Sequence, residues 1–163
     1  MTDIQMEMSG GCQCGAVRYH ATSFRDDAHI CHCRMCQKAV GNYFEALVGV
    51  PLAALSWTRG TPAVFRSSEH IERGFCDQCG TPLFYHDTSR ASFSLTIGAL
   101  DHPEKFKPAT QDGIEGRMPW FATLTDVPDA GETEAGDPAW AAAIKASNHQ
   151  HPDHDTETWT VKE

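Results

Sequence analysis

All seven cysteines of the 163-residue chain fall into three short clusters: Cys12-Gln13-Cys14, Cys31-His32-Cys33-Arg34-Met35-Cys36 and Cys76-Asp77-Gln78-Cys79. Thiolates this close in sequence can converge on one ion at about 2.3 Å from each sulfur. Neighbours in so short a loop are, by contrast, poorly placed to bridge one another. Seven divides into four plus three. Four thiolates close a tetrahedral structural zinc site, and three leave a coordination position open, which is how zinc sites that do chemistry are built. The pattern predicts two Zn²⁺ per chain. Spacing alone leaves open which clusters combine, because any long-range pairing could supply the four-ligand site.

A disulfide scaffold is the competing use of so many cysteines. The odd count disfavours it, as do an opening Met1-Thr2-Asp3-Ile4-Gln5-Met6-Glu7 without a basic or apolar leader and a length that can bury a core without covalent staples. No run approaches the ~18 consecutive apolar residues of a membrane span. The expectation is a reducing, cytoplasmic setting with no membrane partner.

Composition is that of one globular unit, 40% hydrophobic and 21% charged. The charge is uneven: residues 125–163 hold nine acids against Lys145 and Lys162, so −7 of the net −9 lies there. Loading seven thiolates with two Zn²⁺ deepens the net charge by a further three. Such a surface repels phosphate backbones and argues against a nucleic-acid-binding zinc ribbon.

The elements that must position the clusters read mostly as strands. Residues 15–21, 44–50, 63–66, 71–75 and 92–100 alternate apolar and polar side chains between Gly, Pro, Ser and Asp clusters. These are short antiparallel strands, with the cysteines at their ends and turns. An extended backbone through Cys12-Gln13-Cys14 points both sulfurs to one face, and Gly80 permits a tight turn after Cys79. One helix is expected, over about 138–147, capped by Asp137 and started by Pro138, with Trp140 and Ile144 on a face that docks on the sheet. Residues 126–136 read as a polar connector.

On these residues the chain resembles a known family. Gly11-Cys12-Gln13-Cys14-Gly15 with Val17 and Tyr19, Cys31 to Lys38 with Gly41, and Phe75-Cys76-Asp77-Gln78-Cys79-Gly80-Thr81 are similar to the glutathione-dependent formaldehyde-activating family, also called the centromere protein V family. CxC, CxCxxC and CxxC in this order, with two long intervals, is a specific signature. The likeness spans roughly residues 8–128, including Met118-Pro119-Trp120-Phe121 and Pro128. Asn42 departs from it, where many relatives carry serine, and the acidic extension lies outside it. The resemblance implies a mainly β, Mss4-like two-sheet antiparallel zinc-binding fold with one C-terminal helix. It divides the chain into a zinc-binding β domain, 1–128, and an acidic C-terminal extension, 129–163. It also implies that Cys12, Cys14, Cys76 and Cys79 hold the structural zinc and that Cys31, Cys33 and Cys36 hold the second, catalytic one.

Zn²⁺ with three thiolates carries a formal −1, which makes it a weak acid toward water and a good partner for sulfur. A thiol in the fourth position is deprotonated while its sulfur stays nucleophilic. The activity implied is that of a carbon–sulfur lyase, S-(hydroxymethyl)glutathione synthase-like, with glutathione or another small thiol as partner. The alternative is a non-catalytic zinc scaffold that binds a protein partner, since a fold does not imply a function. Around the clusters, His32 reads as a packing residue, since an extended segment turns its ring away from the flanking sulfurs. His20 and His86 read as ordinary strand histidines, and His149, His151 and His154 as part of a solvated tail. Trp120 and Phe121 could line a ligand pocket but are at least as often core; Arg18, Arg34 and Lys38 could meet glutathione carboxylates, with ordinary surface charges as the default reading.

Overall fold

The computed structural model describes residues 2–161; Met1, Lys162 and Glu163, two of which enter the tail's charge count, lie outside the described residues. The expected alternating segments are strands: β3 (Arg18–Ala21), β6 (Glu45–Pro51), β8 (Ala63–Arg66), β9 (Ile71–Phe75) and β11 (Ser92–Thr96). The segment 92–100 ends as a strand at Thr96 and closes in a 3-10 turn, Ile97–Ala99. With β1 (Asp3–Ile4), β2 (Met8–Gly11), β4 (Phe24–Arg25), β5 (His29–Cys31), β7 (Leu55–Arg59), β10 (Pro82–Asp87) and β12 (Thr110–Asp112), they build two main sheets and a small ribbon.

The larger sheet has seven strands in the order β12-β5-β6-β11-β10-β9-β8, and the smaller has three, β2-β3-β7; β1 and β4 form the ribbon. All pairings are antiparallel except β12 with β5. Period-2 alternation makes the two faces of the large sheet chemically different. Val48, Leu95 and Phe84 lie opposite one another in register on one face and are buried with Val50, Tyr19 and Phe24 in the core between the sheets. Gly74 pairs with Phe84 because the ring fills its place: a Cβ there would lie 2.0 Å from Phe84 Cε1. The other face carries His29 and Cys31 on β5, Glu45, Leu47 and Gly49 on β6, Ser92 and Ser94 on β11, Tyr85 and Asp87 on β10, and Ile71 and Arg73 on β9. It is the floor of a cavity.

Three expectations are corrected. Residues 13–14 form a turn and not an extended stretch; the turn bonds Gly15 N–H to Cys12 O, and Gly15 holds a positive φ of 75° that a side chain would strain. The third cluster residue, Cys36, sits in a helix that alternation did not reveal, α1 (Arg34–Val40), capped at one end by the Cys33 sulfur and at the other by Gly41 with φ 64°. The late helix is present as α3 (Pro138–Ser147), with Asp137 accepting the Trp140 N–H at 3.0 Å, but its apolar face does not dock. Trp140 is 61% and Ile144 47% exposed. The connector before it holds α2 (Thr133–Gly136), which packs on α3.

Burial therefore separates two kinds of apolar residue. Leu95→Ala is expected to cost about 2–5 kcal/mol, whereas Trp140→Ala should shift stability by less than about 0.5 kcal/mol. Urea unfolding of the two variants checks this; equal losses would mean that α3 is packed in solution.

Candidate functional site

The sulfurs of Cys12, Cys14, Cys76 and Cys79 all lie within 4.8 Å of one another, and so do those of Cys31, Cys33 and Cys36. In the first group Cys12 and Cys14 Sγ are 3.6 Å apart, and Cys14 and Cys76 Sγ 3.8 Å. A tetrahedron with metal–sulfur bonds of about 2.3 Å has edges of about 3.8 Å, so this donor set fits a tetrahedral ion. Backbone N–H groups support the sulfurs, with Val17 N–H donating to Cys12 Sγ at 3.2 Å. Burial pushes the Cys12, Cys14 and Cys76 thiols up. Cys79 is subject to the same burial but is brought down to about 6 by the hydroxyl and backbone N–H of Thr81. The penalty on buried thiolates is offset when a dication sits among them. Both clusters could hold a metal ion.

The second cluster is local and one-sided. Cys31 ends β5; Cys33 caps α1, its sulfur accepting the Cys36 N–H at 3.4 Å; Cys36 sits in the first turn. Burial pushes Cys36 far up, opposed by Arg73, whose Nη2 donates to its sulfur at 3.3 Å. Cys33 is lowered: burial acts against this, but the N–H groups of Cys36 and Met35 and the neighbouring thiols outweigh it. Arg73 also donates from Nη1 to Glu45 Oε2 at 2.8 Å, both side chains being buried, and its guanidinium lies over the Tyr85 ring at 5.2 Å. The loop is tied down by Gln37, whose amide donates to the carbonyls of His32, Tyr43 and Gly116 at 2.8, 3.1 and 2.8 Å.

All three sulfurs of this cluster line a cavity of about 750 Å³, within the size range of small-molecule sites. Its floor is the polar face of the seven-stranded sheet. Its rim is the turn after β4, Met35 of α1, and Arg90.

The sequence profile described as "Glutathione-dependent formaldehyde-activating enzyme" matches residues 7–114. The chain belongs to this family. A protein of Schizosaccharomyces pombe named as an uncharacterized lyase is 29% identical over 83 residues, 51% of this chain and 60% of that one. The chain thus spans well under two thirds of that relative's length. A crystal structure of a Rhodobacter sphaeroides protein, a structural genomics target, superposes with a TM-score of 0.54 over 64% of this chain and 99% of the other, at 21% identity. The fold is therefore shared at low identity.

Several sequence readings hold within the family site. His32 is fully buried, bonded through Nε2 to Gln111 Oε1 at 3.0 Å and packed edge-on against Phe121 at 4.6 Å. Neither Trp120 nor Phe121 lines the cavity, but the core reading fails for Trp120, which is 41% exposed and meets Tyr43 edge-on. Arg34 Nη1 donates to Gln37 Oε1 at 3.2 Å, and with Lys38 it borders a separate shallow groove along α1. Arg18 is no surface charge: it is buried and pairs bidentately with Asp101 at 2.7 and 2.6 Å. Sequence reasoning missed Glu45, Arg73, Tyr85 and Gln37. A polar residue every second position in a strand reads as solvent-facing, and only the covering α1 and rim turn it inward.

The tail is the largest correction. Part of the segment read as solvated folds back as a strap over the Cys12–Gly15 turn, while His149 and His154 stay exposed as read. His151 is buried, its N–H donating to Gln13 O at 2.7 Å. Burial holds its imidazole below the ordinary range. Trp159 Nε1 donates to Cys14 O at 2.7 Å, and its ring meets that of His151 at 4.5 Å. Arg59 bonds both the Gly15 carbonyl and the Thr156 carbonyl, and Asp155 pairs with Arg18 at 2.8 Å.

Two outcomes follow from this geometry. Truncation after Asn148 should speed chelator extraction of metal from the four-cysteine cluster several-fold and leave the three-cysteine cluster's rate unchanged, read with a colorimetric chelator. The Asp155 carboxyl, which burial would raise, is held below its ordinary range by Ser9 and Arg18. Its contribution to strap docking is therefore present above about pH 4 and is lost as the pH falls through its lowered value. Hydrogen exchange of the Trp159 indole should quicken over that acid window. A third outcome concerns the buried pair: Glu45→Gln, which removes the carboxylate partner of buried Arg73, should cost about 3–5 kcal/mol, read by urea unfolding.

Proposed function

We propose that this protein is a zinc-dependent carbon–sulfur lyase-type enzyme acting on S-hydroxymethylglutathione or the adduct of another small thiol. Cys12, Cys14, Cys76 and Cys79 hold a structural zinc, and Cys31, Cys33 and Cys36 hold the catalytic one. The catalytic unit is residues 1–128, with 129–163 an acidic extension. The observation that carries this reading is the asymmetry of the two clusters. The strap bonds the backbone of the turn that carries Cys12 and Cys14, while the three-cysteine group offers three donors among the described residues and opens into the 750 Å³ cavity.

Zinc at the second cluster supplies Lewis acidity and stabilises a thiolate. The chain's residues do the rest. Arg73 fixes Cys36 by its hydrogen bond and is itself held in place by Glu45; the two side chains are neutral together, so the cluster keeps its net negative charge. The Tyr85 phenol, kept protonated by burial and by Asp87, lines the cavity with Ser92, Ser94 and Thr110. These hydroxyls give hydrogen-bonding partners to the adduct's CH₂OH group. In the synthetic direction the substrate sulfur adds to the carbonyl carbon, the C–S bond forms, and the C=O π pair moves to oxygen, which takes a proton. The lyase direction reverses each of these.

The scaffold reading rests on a different observation, the exposed Trp140 and Ile144 on α3. Turnover separates the two. Wild-type protein should carry two zinc per chain and speed formaldehyde–glutathione exchange above the buffer rate, measured by NMR exchange spectroscopy. Cys36→Ser should stay folded with one zinc and lose the excess rate. An exchange rate equal to the spontaneous one rules out the enzyme reading with this substrate.

A further inference from the structure

Three arginines line the cavity, Arg25, Arg73 and Arg90, and two of them are already committed. Arg73 bonds Glu45 and Cys36. Arg90 bonds Asp87 at 3.1 Å and is 70% exposed. The Arg25 guanidinium makes no hydrogen bond or ion pair with any described residue, and its Nε is buried without a partner. A guanidinium cannot shed its charge, and a polar group withdrawn from water without a partner costs free energy. Asp27, two residues on, makes no ion pair with it; its Oδ1 accepts the Gly49 N–H at 2.7 Å.

Gly49 explains how Arg25 reaches the cavity. A Cβ at residue 49 would stand 2.9 Å from Arg25 Cδ and 2.6 Å from Asp27 Oδ2. The missing side chain in the middle of β6 is what lets the arginine stem cross the strand. Register then sets a distance. Glu45 lies opposite Cys31, and Gly49 is four residues further along the same face of β6, roughly 13 Å away at strand rise.

Resting on the lyase reading above, we propose that Arg25 is the carboxylate-binding residue of this cavity and sets its specificity. The substrate class is a peptide thiol whose carboxylate stands well away from its sulfur, held bidentately at Arg25 while the sulfur sits at Cys31, Cys33 and Cys36. Planar guanidinium and carboxylate are complementary in this way. A two-carbon thiol cannot reach both ends. A thiol tripeptide adds an extended residue of about 3.5 Å beyond the cysteine, and the long arginine side chain closes the rest.

The test is calorimetric titration of the full-length, zinc-loaded protein with three probes: glutathione, glutathione diethyl ester and 2-mercaptoethanol. Wild-type protein should bind glutathione roughly 10- to 100-fold more tightly than its diethyl ester, a comparison that needs no substitution. Arg25→Gln, with zinc content and near-UV circular dichroism unchanged, should remove that difference and leave the 2-mercaptoethanol Kd within about twofold. Arg25→Lys should restore part of it, since lysine keeps the charge without the fork. If wild-type protein binds acid and ester alike, or Arg25→Gln weakens both glutathione and 2-mercaptoethanol equally, the carboxylate subsite is overturned and the lyase reading stands. If wild-type protein binds no thiol at all, both fall together.

Discussion

The seven-stranded sheet has a core face and a chemical face, and everything else in the molecule depends on that division. Because side chains alternate strictly along a strand, one register places Val48, Leu95 and Phe84 in the core and, one residue over, Leu47, Ser94 and Tyr85 on the opposite side. A slip of one residue would put the hydrophobic set into the cavity and the polar set into the core. Burial of the apolar face, worth about 1.5–3 kcal/mol per large side chain, thus fixes the floor of the site as well as the fold.

On that floor the difficult group is Cys36, a sulfur buried beside charge. Arg73 answers it and is in turn answered by Glu45. A buried ion pair of this kind contributes little net stability, since desolvation of both charges nearly offsets their attraction. Its consequence is positional: it spans from β9 to β6 and ties the cysteine loop to the centre of the sheet. Gln37 does the same from the other side through three carbonyls. The loop that carries three donors within six residues is therefore rigid without help from distant cysteines.

The first cluster is held in the opposite way. Its four sulfurs come from two segments some sixty residues apart, and the strap from the far end of the chain closes over them through Gln13 O and Cys14 O. The two clusters present the same donor type in different surroundings: the first lies beneath the strap, and the second faces a cavity.

The cysteine clusters, the strands over residues 63–66 and 71–75, and the helix over 138–147 were legible in the sequence, because ligand spacing, period-2 alternation and helix capping are local signals. The family resemblance extended this to the division of the cysteines into four and three, the two groups whose sulfurs converge. Tertiary structure alone decided that Arg73 and Tyr85 face a cavity and that Glu45 pairs with Arg73, that Arg25 has no partner among the described residues, that the apolar face of α3 stays exposed, and that His151 and Trp159 bond a turn 138 and 145 residues away in sequence. The reason is physical: a sequence carries the polarity of each position, whereas the partner that gives a polar residue its role arrives from another strand or the far terminus, and no local pattern encodes that arrival.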